Sequence, residues 1–302
     1  IERRRGHGTR VSFAAAPVRD ERMVAVLLGD VKRSFFGSIY DGIEAELVDA
    51  GCRPVLLNTS LSLDKERESL RTFGKLAGGL IVVPLVAKHN QPDYAQLLVD
   101  NVPLVFVDRY LPELNVDAVL SDNFQGGYIG TQHLLSLGHR KIALMGTERA
   151  ISMRHRVEGY RKAMAEAGVP VTNALVIDLQ ENSFECAYEV TEALVAKQPD
   201  ITAVFCLRDD IAWGCLQRLS EMEIQVPERI SVMGYDDNED ICSRLRPQLT
   251  TVRQDTAEMG RRAAQLLLQR MREEEPPEPQ IVRLPVRLVE RESVKAAQDL
   301  PN

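Results

Sequence analysis

Short apolar runs of β type alternate with amphipathic stretches of helical period, from about Met23 almost to the end of the chain. In the first half, runs at 23–28, 54–57, 79–83, 103–107 and 118–120 predict strands. Between them Ile39, Ile43 and Leu47 recur at helical spacing, and 63–76 and 94–99 predict further helices. The second half repeats the scheme, with strands at 142–145, 175–177, 203–206, 230–233 and 249–252. Its helices are predicted at 123–137, 153–167, 184–196, 210–222 and 256–271, and two short strands close the chain at 280–284 and 286–289. Strands alternating with helices read as parallel sheets covered by helices. Two successive arrays of similar size predict two similar lobes.

Punctuation supports these boundaries. Gly138 follows a predicted helix and precedes His139, Arg140 and Lys141, a C-cap with favourable charge. Gly168 and Pro170 close the next helix in the same way. An acidic, Pro-rich run at 273–279 reads as an exposed connection, and 1–21, without periodicity, as an arm or linker.

Composition narrows the class. A length of 302 residues predicts roughly two domains of ~150 residues, and 44% hydrophobic with 27% charged residues is ordinary for a globular protein. No apolar run approaches the ~20 residues needed to cross a membrane, and no signal-peptide pattern opens the chain. Five scattered cysteines without C-x-x-C spacing fit a reduced, cytoplasmic protein. The net charge of −7 argues against binding DNA through these residues alone, because phosphates must be met by Lys and Arg.

Catalytic patterns are missing from the sequence: no nucleophile elbow, no phosphate loop and no H-E-x-x-H. His133 and His139 have a poor metal spacing and no Cys/His cluster beside them, so neither metal nor cofactor is expected. The adjacent Asp236 and Asp237 point to opposite faces if extended, which disfavours paired acid–base work. The expected chemistry is recognition, not turnover.

The most informative segment is ISVMGYDDNEDICSRLRPQLTTVRQD, from Ile230 to Asp255. Co-linear with it are FFGSIYDGIEAEL from Phe35, VFVDR from Val105, SDNFQGGY from Ser121, HLLSLGHRK from His133, RVEGY from Arg156 and DIAWG from Asp210. Together these motifs resemble the LacI/GalR family of bacterial transcription regulators over nearly the whole chain. The resemblance implies an α/β fold of periplasmic-binding-protein-like type I, two Rossmann-like lobes with parallel sheets joined by three crossovers, near Ser121, Val252 and Gln280. The implied lobes are 22–121 with 253–279 and 122–252 with 280–296, followed by a tail at 297–302. It also implies a small effector in the cleft between lobes, a homodimer or tetramer, and operator DNA held by a separate headpiece. Such headpieces with their hinge helix span roughly sixty residues. Only about 20 residues precede the first strand here, so the headpiece is expected to be cut away from this chain, or naturally absent. A solute-binding protein for sugar transport or sensing is the alternative on the same fold, and an enzyme a third.

Asp236 leads the candidate ligand residues: a carboxylate at a strand end accepts two hydrogen bonds from vicinal hydroxyls. Its alternative role is capping a helix at 238–245. Arg156 offers a planar fork to a hydroxyl or carboxylate, against the usual fate of a solvated Arg. Asp108 follows the strand at 103–107, with a simple turn as its alternative. One of Phe35 and Phe36, not both, is expected to stack on a ring in the cleft. Arg208 stands where many sugar-responsive relatives of this family carry Asn or a small residue. With Arg156 and one of Lys32 or Arg33 turned inward, it would favour a sugar acid or sugar phosphate over a neutral sugar. Exposed loop cations are the alternative. Trp213, the single Trp, is expected to pack in the core.

Overall fold

The computed structural model describes residues 19–85, 91–273 and 277–298, with two arm strands, β1 (Glu2–Arg3) and β2 (Thr9–Arg10), paired antiparallel. The remainder of the arm, the acidic run at 274–276 and residues 299–302 lie outside the described residues.

The first lobe is built on β3 (Asp20–Leu28), β4 (Arg53–Asn58), β5 (Ala77–Val82), β6 (Leu104–Val107) and β7 (Asp117–Ser121). The sheet runs β4-β3-β5-β6-β7 and every pair is parallel. The second lobe orders β8 (Ile142–Met145), β9 (Val176–Ile177), β10 (Ala203–Cys206), β11 (Ser231–Asp236) and β12 (Thr250–Arg253) as β9-β8-β10-β11-β12, again parallel. Central strands such as β6, β8 and β10 are buried at every residue, as strands covered on both faces must be, which is why they read as unbroken apolar runs.

Helices cover both faces. In the first lobe α1 (Ser34–Asp49) and α9 (Thr256–Arg272) share one core with the sheet. On the other face, α2 (Leu63–Leu76) and α3 (Gln91–Val99) contribute Leu70, Tyr94 and Leu97 to a second core. In the second lobe α4 (Asn123–Ser136) packs with α5 (Ile151–Glu166), and α6 (Phe184–Lys197) with α7 (Asp209–Glu221). The N-caps are chemically ordinary: Ser62, Asp122 and Asp255 each accept from a backbone N–H three residues on.

The chain changes sheet at Asp122 and again at Gln254–Asp255. The last change departs from the sequence expectation. β13 (Ile281–Leu284) pairs parallel with β7, in the first sheet, and β14 (Arg287–Val289) pairs antiparallel with β12, in the second. The third crossover is therefore at Pro285–Val286 and not near Gln280. Leaving α9, the chain meets the open edge of β7 first and satisfies that edge before it crosses. Residue 297, expected to begin a tail, is anchored, because the Ala297 N–H donates to Leu137 O at 2.8 Å. His139 is held beside it, one ring nitrogen 2.9 Å from Lys295 O and the other 2.9 Å from Thr202 Oγ1. Burial lowers its pKa below the usual imidazole value.

Candidate functional site

The carboxyl ends of both sheets face one another across a cleft of about 520 Å³, lined from both lobes. That is the position where open α/β sheets bind ligands, and the volume suits a small metabolite.

The second-lobe wall is a hydrogen-bonded network around Arg156, whose residue is 1% exposed. Its Nε donates to Asn123 Oδ1 at 2.8 Å and its Nη1 to Leu207 O at 2.5 Å. Nη1 also lies 3.4 Å from Asp236 Oδ1, and the guanidinium stacks 3.5 Å over the Tyr235 ring. The packing of α4 on α5 makes this possible. A Cβ on Gly127 would lie 2.0 Å from Arg156 O, and one on Gly159 would lie 2.1 Å from Phe124 O. Only glycines let the two helices approach this closely. These are the glycines of SDNFQGGY and RVEGY.

Asp236 ends β11 with φ at +115°, a strained conformation for a residue with a side chain. Its Oδ1 accepts from Gln254 Nε2 at 2.7 Å, and Oδ2 lies 3.7 Å from Arg208 Nε. Burial pushes its carboxyl upward, opposed by Arg156 and then Arg208. Asp236 caps no helix: α8 (Glu239–Cys242) is capped by Asn238, which accepts from Asp240 N. Asp237, at φ +57°, turns to Arg291 at 2.6 Å and Arg253 at 3.6 Å and takes no part in the cleft.

Behind the wall sits Asp209, 1% exposed, unmarked in the sequence because it adjoins the more conspicuous Asp210. It accepts from Thr251 Oγ1 at 2.7 Å, from Asn238 N at 2.7 Å and from Cys242 Sγ at 3.3 Å. Burial, and then the nearby Asp236 carboxylate, push it up to about 8. It ties β12 to the loop after β11, so it fixes where Asp236 stands.

The first-lobe wall is different in kind. Phe35 and Phe36 both border the cleft, edge to face at 5.3 Å, which corrects the expectation that one of them would. Phe36 is also core, while Phe35 is half-buried. Asp108 follows β6 at φ +66°, buried, with Oδ2 3.2 Å from Arg109 Nε. Arg33 and Arg208 line the cleft; Lys32 is exposed. Arg149, Ser152, Met153 and Asn182 also line it and went unforeseen, coming from loop or helix-start positions that no period marks. Trp213 is 43% exposed, edge-on to Phe184 at 4.9 Å, rather than core.

Among the described residues, three buried side-chain oxygens lack a hydrogen-bond partner: Ser121 Oγ, Gln254 Oε1 and Tyr235 Oη. Two of the three stand at crossovers. The described residues hold no His/Cys/Asp/Glu cluster suited to a metal and no helix long and apolar enough to cross a membrane. All five cysteines are unpaired.

Residues 131–294 match the family model described as periplasmic binding protein-like domain. The chain is 33% identical over 281 residues to the HTH-type transcriptional repressor PurR of Photobacterium profundum, covering 91% of this chain and 81% of that protein. It is 30% identical over 257 residues to the ribose operon repressor of Haemophilus influenzae, covering 84% and 76%. Among solved structures, it superposes on a LacI-family regulator from Enterococcus faecium with bound ribose at a TM-score of 0.80. That pair shares 32% identity over 91% of this chain and all of the other. The CelR–cellobiose complex aligns at 0.82, with 28% identity over 92% and 86%.

Proposed function

This chain belongs to the LacI family of transcriptional regulators, whose periplasmic-binding-protein-like effector core it carries, and from that premise we propose how its cleft works. The effector is a small carbohydrate or sugar derivative bound between the lobes. The observation that carries this is the convergence of Asp236, Arg156 and Asp108 with the Phe35 ring on one cleft. Carboxylates and a guanidinium pair with hydroxyls, and an aromatic face covers the apolar side of a sugar ring. Ribose and cellobiose in the two related complexes support the same class.

Ligand contacts from both lobes favour one relative orientation over another, which is the differential interaction a conformational shift requires. The unpaired Ser121 Oγ and Gln254 Oε1 fit crossover residues that exchange partners when the lobes rotate. In a homodimer or tetramer the shift passes to DNA-binding headpieces on operator DNA, with a coupling of ~1–3 kcal/mol. Five unpaired cysteines fit a cytoplasmic workplace. The cleft binds and does not turn over its ligand. The relatives named above are transcriptional repressors, and the transport alternative draws no support from them.

Titration calorimetry of the chain with a panel of pentoses, hexoses, their acids and their phosphates, and with free nucleobases for comparison, tests this reading. Saturable binding that Asp236→Asn weakens roughly tenfold or more is the expected result. Binding confined to nucleobases, or unaffected by Asp236→Asn, overturns it.

A further inference from the structure

Charges in the cleft are unevenly matched. Five arginines line it (Arg33, Arg109, Arg149, Arg156 and Arg208) against Asp108, Glu181 and Asp236, in a chain whose net charge is −7. Arg109 is engaged with Asp108, and Arg156 with Asp236, Asn123 and Leu207. Arg33 and Arg208 are placed otherwise. They come from opposite lobes, one just before α1 and the other just before α7, and both reach the same oxygen, Asp210 Oδ2, at 3.9 Å and 2.8 Å. Their further carboxylate contacts are longer than a hydrogen bond: Arg33 to Asp30 at 3.5 Å and Arg208 to Asp236 at 3.7 Å. Burial, and after it the like charge of Arg208, hold the Arg33 guanidinium below its ordinary value. Two guanidinium groups therefore share the Asp210 carboxylate, and among the described residues Arg208 Nη1 otherwise reaches only Asn182 O, at 3.5 Å.

The geometry points to an anion subsite between Arg33 and Arg208: the effector is a carbohydrate that carries a carboxylate or a phosphate, and that group bridges the two arginines across the cleft. Asp108 and Asp236 are left for its hydroxyls. The inference rests on the carbohydrate reading of the cleft and adds the ligand's charge to it. Planar guanidinium forks suit bidentate oxyanions, which a neutral hydroxyl cannot replace. An anion held this way links a first-lobe side chain to a second-lobe one, so it favours the arrangement in which the lobes approach. Asp210 is the resident counter-charge and competes with the ligand for the same donors.

Calorimetry and thermal shift at constant ionic strength test this with matched probes: D-glucose, D-gluconate and D-glucose 6-phosphate; D-ribose and D-ribose 5-phosphate; and inorganic phosphate alone. At least one acid or phosphate ester is expected to bind tenfold or more tightly than its neutral parent, and the better of the two identifies the anion. Arg33→Gln and Arg208→Gln should each erase that advantage, Arg208→Lys should keep part of it, and Asp210→Asn should tighten anion binding several-fold. Inorganic phosphate should stabilise the unsubstituted chain and not Arg208→Gln. Unfolding midpoints of each variant without ligand control for folding. Neutral parents binding as tightly as their acids, with Arg208→Gln indifferent to both, overturn the anion subsite and leave the carbohydrate reading standing. Failure of every carbohydrate and of phosphate overturns both.

Discussion

The two walls of the cleft are made from opposite materials. The second-lobe wall is a buried polar network in which Arg156 is held by Asn123, Leu207, Asp236 and the Tyr235 ring, with Asp209 bracing it from behind. The first-lobe wall is an aromatic edge, Phe35 on Phe36, beside the loosely paired Arg33 and an Asp108 held by Arg109. A preorganised polar wall fixes the orientation of a ligand and loses little on binding, since its side chains are already ordered. An aromatic wall adds contact area with little demand on direction. The difference teaches that one cleft can pair a wall already ordered for directional contacts with one that offers contact area.

Substitutions can break this contrast, and the largest effect belongs to Arg156→Ala. It strips partners from Asp236 and Leu207 O and removes the buried group stacked on Tyr235. Breaking a buried ion pair by removing one partner costs roughly 3–5 kcal/mol, to be read from urea unfolding, and Arg156→Lys should recover only part because one ammonium cannot span three acceptors. Asp236→Asn should spare most of the stability yet cost roughly 1.5–3 kcal/mol of carbohydrate affinity, the scale of a charge-assisted hydrogen bond, by calorimetry.

Asp209 gives the same wall a pH signature. With its folded value pushed up to about 8, the native state keeps a proton that the unfolded chain releases near pH ~4. Its contribution is fully present below that pH, fades as pH rises towards 8, and is gone above it. The melting temperature of the unsubstituted chain should fall more steeply between pH 5 and 8.5 than that of Asp209→Asn, and equal slopes would remove Asp209 from the account. On the opposite wall Phe35→Ala should cost only about 1 kcal/mol of affinity and little stability. Smallest of all is Trp213→Phe, within roughly ±0.5 kcal/mol in unfolding because the ring is largely at the surface.

The central strands of both sheets were legible because parallel strands buried on two faces must be apolar throughout. Helix ends were legible to within a few residues through their caps, as at Asp122 and Asp255. The partner of β13 was not, because its residues suit either sheet and only the open edge of β7 decides. In the cleft, Arg156, Asp236, Asp108, Arg208 and one of the two phenylalanines could be found as strand-end or helix-start residues with family motifs around them, and the structure lines the cleft with these and with the second phenylalanine. Asp209 could not, since nothing local says which of two adjacent carboxylates turns inward. Arg149 and Asn182 come from loops, where no period marks a side chain's direction. The exposure of Trp213 depends on the rotation of α7 about its axis, which a short amphipathic pattern leaves open.

The positive φ angles at Asp108, Asp236 and Asp237 carry a practical consequence for anyone re-engineering this sensor. A combinatorial library that randomises all cleft residues alike would fill most of its members with β-branched or bulky side chains at backbone positions that reject them. Diversity is better placed at Phe35, Arg149, Met153 and Arg208, none of which has a positive φ, with Asp108 and Asp236 restricted to Asp, Asn and Gly. A biosensor campaign designed this way screens specificity, where an unrestricted one would mostly screen for folding.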